Sequence, residues 1–159
     1  MKKTGFIVLF AFVLSAAFAH SNPAPGFDDV VDFSISLKEL DEITRNRNFE
    51  KLEDVYLIIN GSVSSYIVVD SEPETYTVEL ELIDGEWAGM SDVFLYRCLV
   101  EFSGPEYAKK FPERRRASPG PGEVPLNTGI IVVARFLEPV MEGDSLLPLL
   151  QGYYLRTFK

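Results

Sequence analysis

The chain has 159 residues, 24 acidic against 15 basic, and a formal net charge of −9. That length fits one domain with a core of its own, and the charge repels nucleic acid, anionic lipid and acidic glycans at long range while suiting cationic partners. One cysteine, Cys98, and one histidine, His20, exclude an internal disulfide, a zinc site and a histidine-based catalytic set.

Lys2 and Lys3, the apolar run Gly5 to Leu14 and the small residues Ala17 and Ala19 follow the order of a cleavable secretory signal. The run is too short for a permanent span, which needs about 20 apolar residues. The expectation is an exported protein, periplasmic or extracellular in a bacterium, with a signal at 1–19 and no permanent membrane span. Cleavage would leave 140 residues, 13 of them basic and 24 acidic. Residues 20–35, with Pro23, Pro25 and Gly26, read as a flexible leader. A single domain is expected over 36–159.

Ser36 and Glu39 have the spacing of a capping box, and Leu37, Leu40 and Ile43 share one face, predicting a helix over 36–47. From Val55 the apolar period changes to two. Val55 to Val69 reads as a long strand in which Gly61 marks a bulge or bend. Tyr76 to Ile83 is a second strand, with Tyr76, Val78, Leu80 and Leu82 inward and Thr77, Glu79 and Glu81 outward. Asp84-Gly85 is expected to turn the chain. Val93 to Phe102 is a third strand, with Phe94, Tyr96, Cys98, Val100 and Phe102 on the inner face and Arg97 and Glu101 on the other. Glu106 to Phe111 reads as a short helix after Pro105, Gly129 to Leu137 as a fourth strand and Glu138 to Ser145 as a loop. A fifth strand is centred on Gln151 to Arg156. Tyr153 and Tyr154 should point to opposite sides of it.

This order predicts a mainly β fold: a five-stranded OB-fold-like Greek-key barrel (β-β-β-α-β-β) with an N-terminal helix. Asn60-Gly61-Ser62-Val63, Tyr76-Thr77-Val78-Glu79-Leu80, Cys98 to Phe102, Ile130 to Phe136 and Pro148 to Tyr154 together resemble small bacterial exported OB-fold proteins of the tRNA-anticodon-binding-like family. The resemblance covers about Val55 to Arg156 and implies a fold. The residues that carry it are barrel-pattern residues, so it names no ligand.

Two segments are candidate sites. The first is the outward side of strands two and three with the residues beside it: Glu79, Glu81, Trp87 and Arg97. OB-folds usually bind ligands on that face, but its carboxylates oppose nucleic acid and point to a cationic ligand or an envelope protein. Trp87 reads as an amphipathic cap on the barrel mouth or as an exposed platform, the cap being favoured. The second is Lys109, Lys110, Arg114, Arg115 and Arg116, either an anion-binding patch or a solvated helix end. The acidic pairs Asp28-Asp29, Asp41-Glu42 and Glu53-Asp54 lack a calcium-loop pattern. No phosphate-binding loop or nucleophile elbow is present, so the expected function is non-enzymatic and without a cofactor. It is a binding or interaction domain or, alternatively, a structural or assembly protein. Oligonucleotide or polyanion binding through 109–116 is a weaker alternative.

Overall fold

The computed structural model describes residues 30–114 and 118–158. The signal expected at 1–19, most of the leader, and Arg115 and Arg116 lie outside the described residues. In chain order the elements are β1 (Val31–Asp32), α1 (Leu37–Arg45), β2 (Tyr56–Asp70), β3 (Thr77–Ala88), β4 (Asp92–Ser103), β5 (Gly129–Glu142) and β6 (Ser145–Phe158). Single 3-10 turns occupy Phe49–Leu52 and Pro105–Tyr107.

The strands form one six-stranded mixed sheet in the order β1-β2-β3-β4-β6-β5, and β2 also pairs with β5, so the sheet curls into a partial ring. β4 and β6 run parallel over only three residue pairs, Leu99↔Leu149 to Glu101↔Gln151. The other long pairings are antiparallel. This mainly β, OB-fold-like arrangement holds one core, in which Leu57, Ile59, Val63, Val78, Leu80, Leu82, Phe102, Ile130, Val132 and Leu150 are buried.

β2 serves both sides of the ring. Leu57 to Ser62 pair with β5, and from Ser62 onward the strand pairs with β3. The bulge expected at Gly61 lies just beyond it: Gly61 stays in register with Ile130, and the register slips between Val63 and Ser65, which adds a residue and moves the inward positions from odd to even numbers. The loop after residue 118 holds the bend from outside, with Asn127 N–H donating to Val63 O at 2.7 Å and Val63 N–H to Thr128 O at 3.1 Å. Gly61 has a second duty. A β-carbon there would sit 2.8 Å from Leu37 Cδ1 and 3.1 Å from Ile83 O, so the glycine admits the helix to the strand.

That contact places α1. Ser36 caps it with the full reciprocal box, and Leu37, Leu40 and Ile43 enter the core between the strands. Thr44 Oγ1, fully buried, donates to Leu40 O at 2.8 Å. The leader is ordered where it meets this cap. Val31 and Asp32 pair in parallel with Tyr56 and Leu57, and Ile35 is buried.

Two expected turns and one expected helix are replaced. β3 runs through Asp84-Gly85 to Ala88, its pairing with β4 unbroken to Asp92, so the hairpin turns at Gly89 to Ser91. β5 runs through the expected loop to Glu142 and turns at Gly143-Asp144 into β6. In both places regular backbone pairing outlasts the core, so a segment that looks like a turn sits in a solvent-exposed ribbon. The helix expected at Glu106 to Phe111 is one 3-10 turn followed by a plug. Phe111 is fully buried, Tyr76 Oη donates to its carbonyl, and Tyr66 Oη donates to Pro112 O at 3.0 Å.

Candidate functional site

Alternation along β3 and β4 sorts their side chains. Val78, Leu80 and Leu82 face the core with Tyr96, Cys98, Val100 and Phe102. Glu79, Glu81, Ile83, Gly85 and Trp87 occupy the outer positions of β3, and Val93, Leu95, Arg97, Leu99 and Glu101 those of β4. Thus the four residues expected on this face, Glu79, Glu81, Trp87 and Arg97, do share it. The register sets Glu79 opposite Glu101, Glu81 opposite Leu99, Ile83 opposite Arg97 and Trp87 opposite Val93.

The two glutamates have opposite surroundings. Glu81 is held on all sides. Ser64 Oγ donates to its Oε2 at 2.5 Å, Ser65 Oγ to the same oxygen at 3.2 Å, and Arg97 Nε to Oε1 at 2.5 Å. Burial pushes its carboxyl up, but Ser64, Arg97 and Ser65 outweigh that and leave it below the usual carboxylate range. Arg97 also bonds Glu142, from the β5–β6 hairpin that crosses this face. Glu81 and Arg97 are therefore a joint between two hairpins, their charges already matched. Glu79 is the reverse: burial, then the nearby charges of Glu101 and Glu142, push its carboxyl up. Like charges face each other across the strands there, at a cost.

Beyond Tyr96 and Leu82 the β3–β4 hairpin leaves the core behind. Trp87 is 72% exposed, Phe94 59% and Met90 fully exposed. Two expectations are corrected here. Trp87 is not a cap on the barrel mouth, because α1 fills that place. Phe94 is not inward, because no core lies under the hairpin where its position faces in. The shaft is braced on the α1 side, where Lys38 Nζ lies 2.7 Å from Glu86 Oε2 and Tyr96 Oη donates to the same oxygen at 3.0 Å. Trp87, Val93 and Leu95 form a file on the outer side, and Val93 and Leu95 close over Gly85. At the foot of that file β4 and β6 diverge, leaving a cleft of about 360 Å³ lined by Leu95, Arg97, Leu146 and Leu147 with Asp41 and Arg45 of α1.

The basic segment is not brought to this face. Lys109 and Arg114 are exposed, and Lys110 Nζ sits 5.5 Å from the centre of the Tyr107 ring. One 3-10 turn gives these cations no helix end to complement. Cys98 is fully buried and its thiol is pushed far up by burial and by Glu81, which makes it a core residue without nucleophilic character. Asp41 pairs with Arg45 and Asp54 with Arg135. The sequence reading missed Leu95, Val93 and Glu142. Val93 and Leu95 were visible as the outer partners of Arg97, but the turn placed at Asp84-Gly85 hid their alignment with Trp87. Glu142 fell in the expected loop.

The bond from Tyr107 Oη to Tyr153 O marks another departure. The β5–β6 register slips between Val133↔Tyr154 and Ala134↔Gly152, so Tyr153 is an extra residue. Alternation fails across it, and Tyr153 and Tyr154 are both exposed instead of lying on opposite sides.

No protein-family model matches the chain, and no curated protein matches it in sequence. A small single-stranded DNA-binding protein from Streptomyces coelicolor, known from its crystal structure, is similar in three dimensions at a TM-score of 0.38 and 15% identity, over 65% of this chain and 92% of that one. The strand order and the double pairing of β2 are what carry the OB-fold-like class.

Proposed function

We propose that this chain is an exported OB-fold-like binding domain of the bacterial envelope, of the tRNA-anticodon-binding-like type. In this reading β2 to β6 are the five strands of a Greek-key barrel, and β1 and α1 are additions to it. It works by holding a peptide or protein segment that carries cations beside apolar side chains, and it performs no chemistry.

One observation carries this reading: the file of Trp87, Val93 and Leu95 stands exposed on a braced hairpin, and the same outer face carries the unmatched carboxylates of Glu79 and Glu101 six to eight residues farther along the strands, about 20–27 Å away. An exposed apolar group of this kind is a recognition surface, tryptophan is the side chain that most often anchors one, and an extended ligand running from it along the face would meet charge that selects the sign of the partner. Arg97 and Glu81 hold the face in shape. The apolar side of α1 is buried in the core, so a docking role falls to the hairpin and not to the helix.

Trp87 is the only tryptophan, so its emission reports on this site. An extended peptide alternating lysine with leucine should shift that emission to the blue and release or absorb heat in calorimetry. A glutamate–leucine peptide should do neither. Trp87→Ala should weaken the lysine peptide by about tenfold or more, since anchors of this type contribute about 2 kcal/mol. Unshifted emission with no heat, or equal affinity in the variant, would sink the proposal.

A further inference from the structure

The opposite side of the barrel carries a second outer face of contrary character. Its positions come from β2 (Tyr56, Ile58, Asn60), β5 (Ile131, Val133, Arg135) and β6 (Tyr154, Arg156, Phe158), and the register sets Asn60 beside Ile131 and Ile131 beside Arg156. No carboxylate occupies any of these positions, although the chain as a whole carries −9. Arg135 is taken: it lies over the Tyr56 ring at 5.2 Å and pairs with Asp54 at 3.0 Å. Arg156 is exposed and has no ion pair among the described residues.

Tyr154 and Phe158, about half exposed, flank Arg156 on one strand, so their rings stand about 13 Å apart with the guanidinium between them. Next to Phe158 a hollow of about 350 Å³ is lined by Ile58, Asn60, Ile131 and Phe158, apolar except for the exposed Asn60 amide. The Phe158 ring covers Gly129, where a β-carbon would approach it to 2.8 Å. The sequence thus keeps space for that ring to lie flat.

We infer that this face binds a short acidic oligosaccharide, a run of uronic-acid rings. The apolar sides of two sugar rings would lie on Tyr154 and Phe158, Asn60 would bond ring hydroxyls, and Arg156 would fork onto a carboxylate. The net charge repels acidic glycans and nucleic acid alike at long range, and the local count of cations decides between them. Polynucleotide affinity comes from many cations displacing many counterions, and this face offers one free guanidinium on an acidic body. In a short uronic-acid chain the carboxylate lying between the two stacked rings meets that one guanidinium, and the outer carboxylates stay in solvent. The site is separate from the β3–β4 face and stands or falls independently of it.

Trigalacturonate, maltotriose and a dT12 oligonucleotide, titrated separately into the full chain and followed by calorimetry and amide NMR shifts, test the inference. Trigalacturonate should bind and shift residues of β2, β5 and β6. Maltotriose, without carboxylates, should bind at least about tenfold more weakly. Affinity should change by less than about threefold between 50 and 200 mM salt, where a ligand held by many phosphates loses about a thousandfold. Arg156→Gln should weaken binding about tenfold and Tyr154→Ser about threefold. Both side chains lie on the surface, so the fold should survive, and an unchanged far-UV spectrum checks that. No binding of trigalacturonate, tighter binding of dT12, or affinity indifferent to Arg156→Gln would each overturn the inference.

Discussion

The outer faces of β3–β4 and of β2–β5–β6 rest on the same core and the same alternation, yet they solve charge differently. On β3–β4, three glutamates occupy outer positions with one arginine, and that arginine is shared between Glu81 and Glu142. On β2–β5–β6, outer positions carry rings, aliphatic side chains and arginine, without a carboxylate. The difference teaches where the chain tolerates unmatched charge: negative at Glu79, positive at Arg156. A glutamate or arginine on an outer strand position says little in isolation. Its neighbours in register decide whether it is a joint, as Glu81 is, or left open, as Glu79 is.

The largest expected effect tests whether the two faces are mechanically linked. Gly152 of β6 lies against Phe102 of β4, and a β-carbon there would fall 2.3 Å from Phe102 Cε1. Phe102 is fully buried and cannot swing aside. Gly152→Ala should therefore cost about 3 kcal/mol, at the upper end for overpacking, and should perturb both faces together. A urea midpoint close to that of the parent protein would show that the faces relax separately.

Next in size is the joint itself. Arg97→Met keeps the stem and removes the cation, leaving the half-buried Glu81 with its serines alone and Glu142 with no tie to the shaft. The expected loss is about 1–3 kcal/mol, with faster amide exchange in the β5–β6 hairpin beyond Phe136 and little change in Tyr154 to Phe158. Equal changes on both faces would break the comparison.

How much of this was legible in the sequence follows from where the core reaches. Strand alternation and the capping box could be read because burial writes its period into residues such as Val78, Leu80 and Leu82, whereas Gly61 signalled a bend but not the helix contact at Leu37 that requires it. The hairpin ends could not be read, because backbone pairing continues past the core. Asp84-Gly85 and Glu138 to Ser145 look like turns yet sit in ladders. The bulge at Tyr153 has no local signal. Beside it Gly152 makes room for the ring of Phe102, fifty residues away in sequence, a contact that only the folded chain brings about. The outer positions of the candidate site were readable, but whether Glu81 was free or bonded depended on Ser64, Ser65 and Glu142, which only the folded register brings to it.

The smallest effect separates the two glutamates by sign. The carboxyl of Glu79 is raised, by burial first and then by Glu101 and Glu142. The native state therefore favours its protonated form. Its contribution to stability is fully present below the unfolded carboxylate pKa of about 4.3 and is lost as pH rises through the higher folded value. Glu79→Gln imitates the protonated form at every pH. It should match the parent protein near pH 3.5 and exceed it at pH 7, by a few tenths to about 1 kcal/mol, the range for relieving a like-charge cross-strand pair. Glu81 runs the other way: its lowered carboxyl adds stability above the unfolded value that is lost as pH falls, so Glu81→Gln should weaken the fold at pH 7 and matter less in acid. Urea midpoints at both pH values check the pair. If Glu79→Gln destabilises at pH 7, the carboxylate is matched by a partner after all, and the acidic face loses the open charge that its reading as a site for cationic ligands requires.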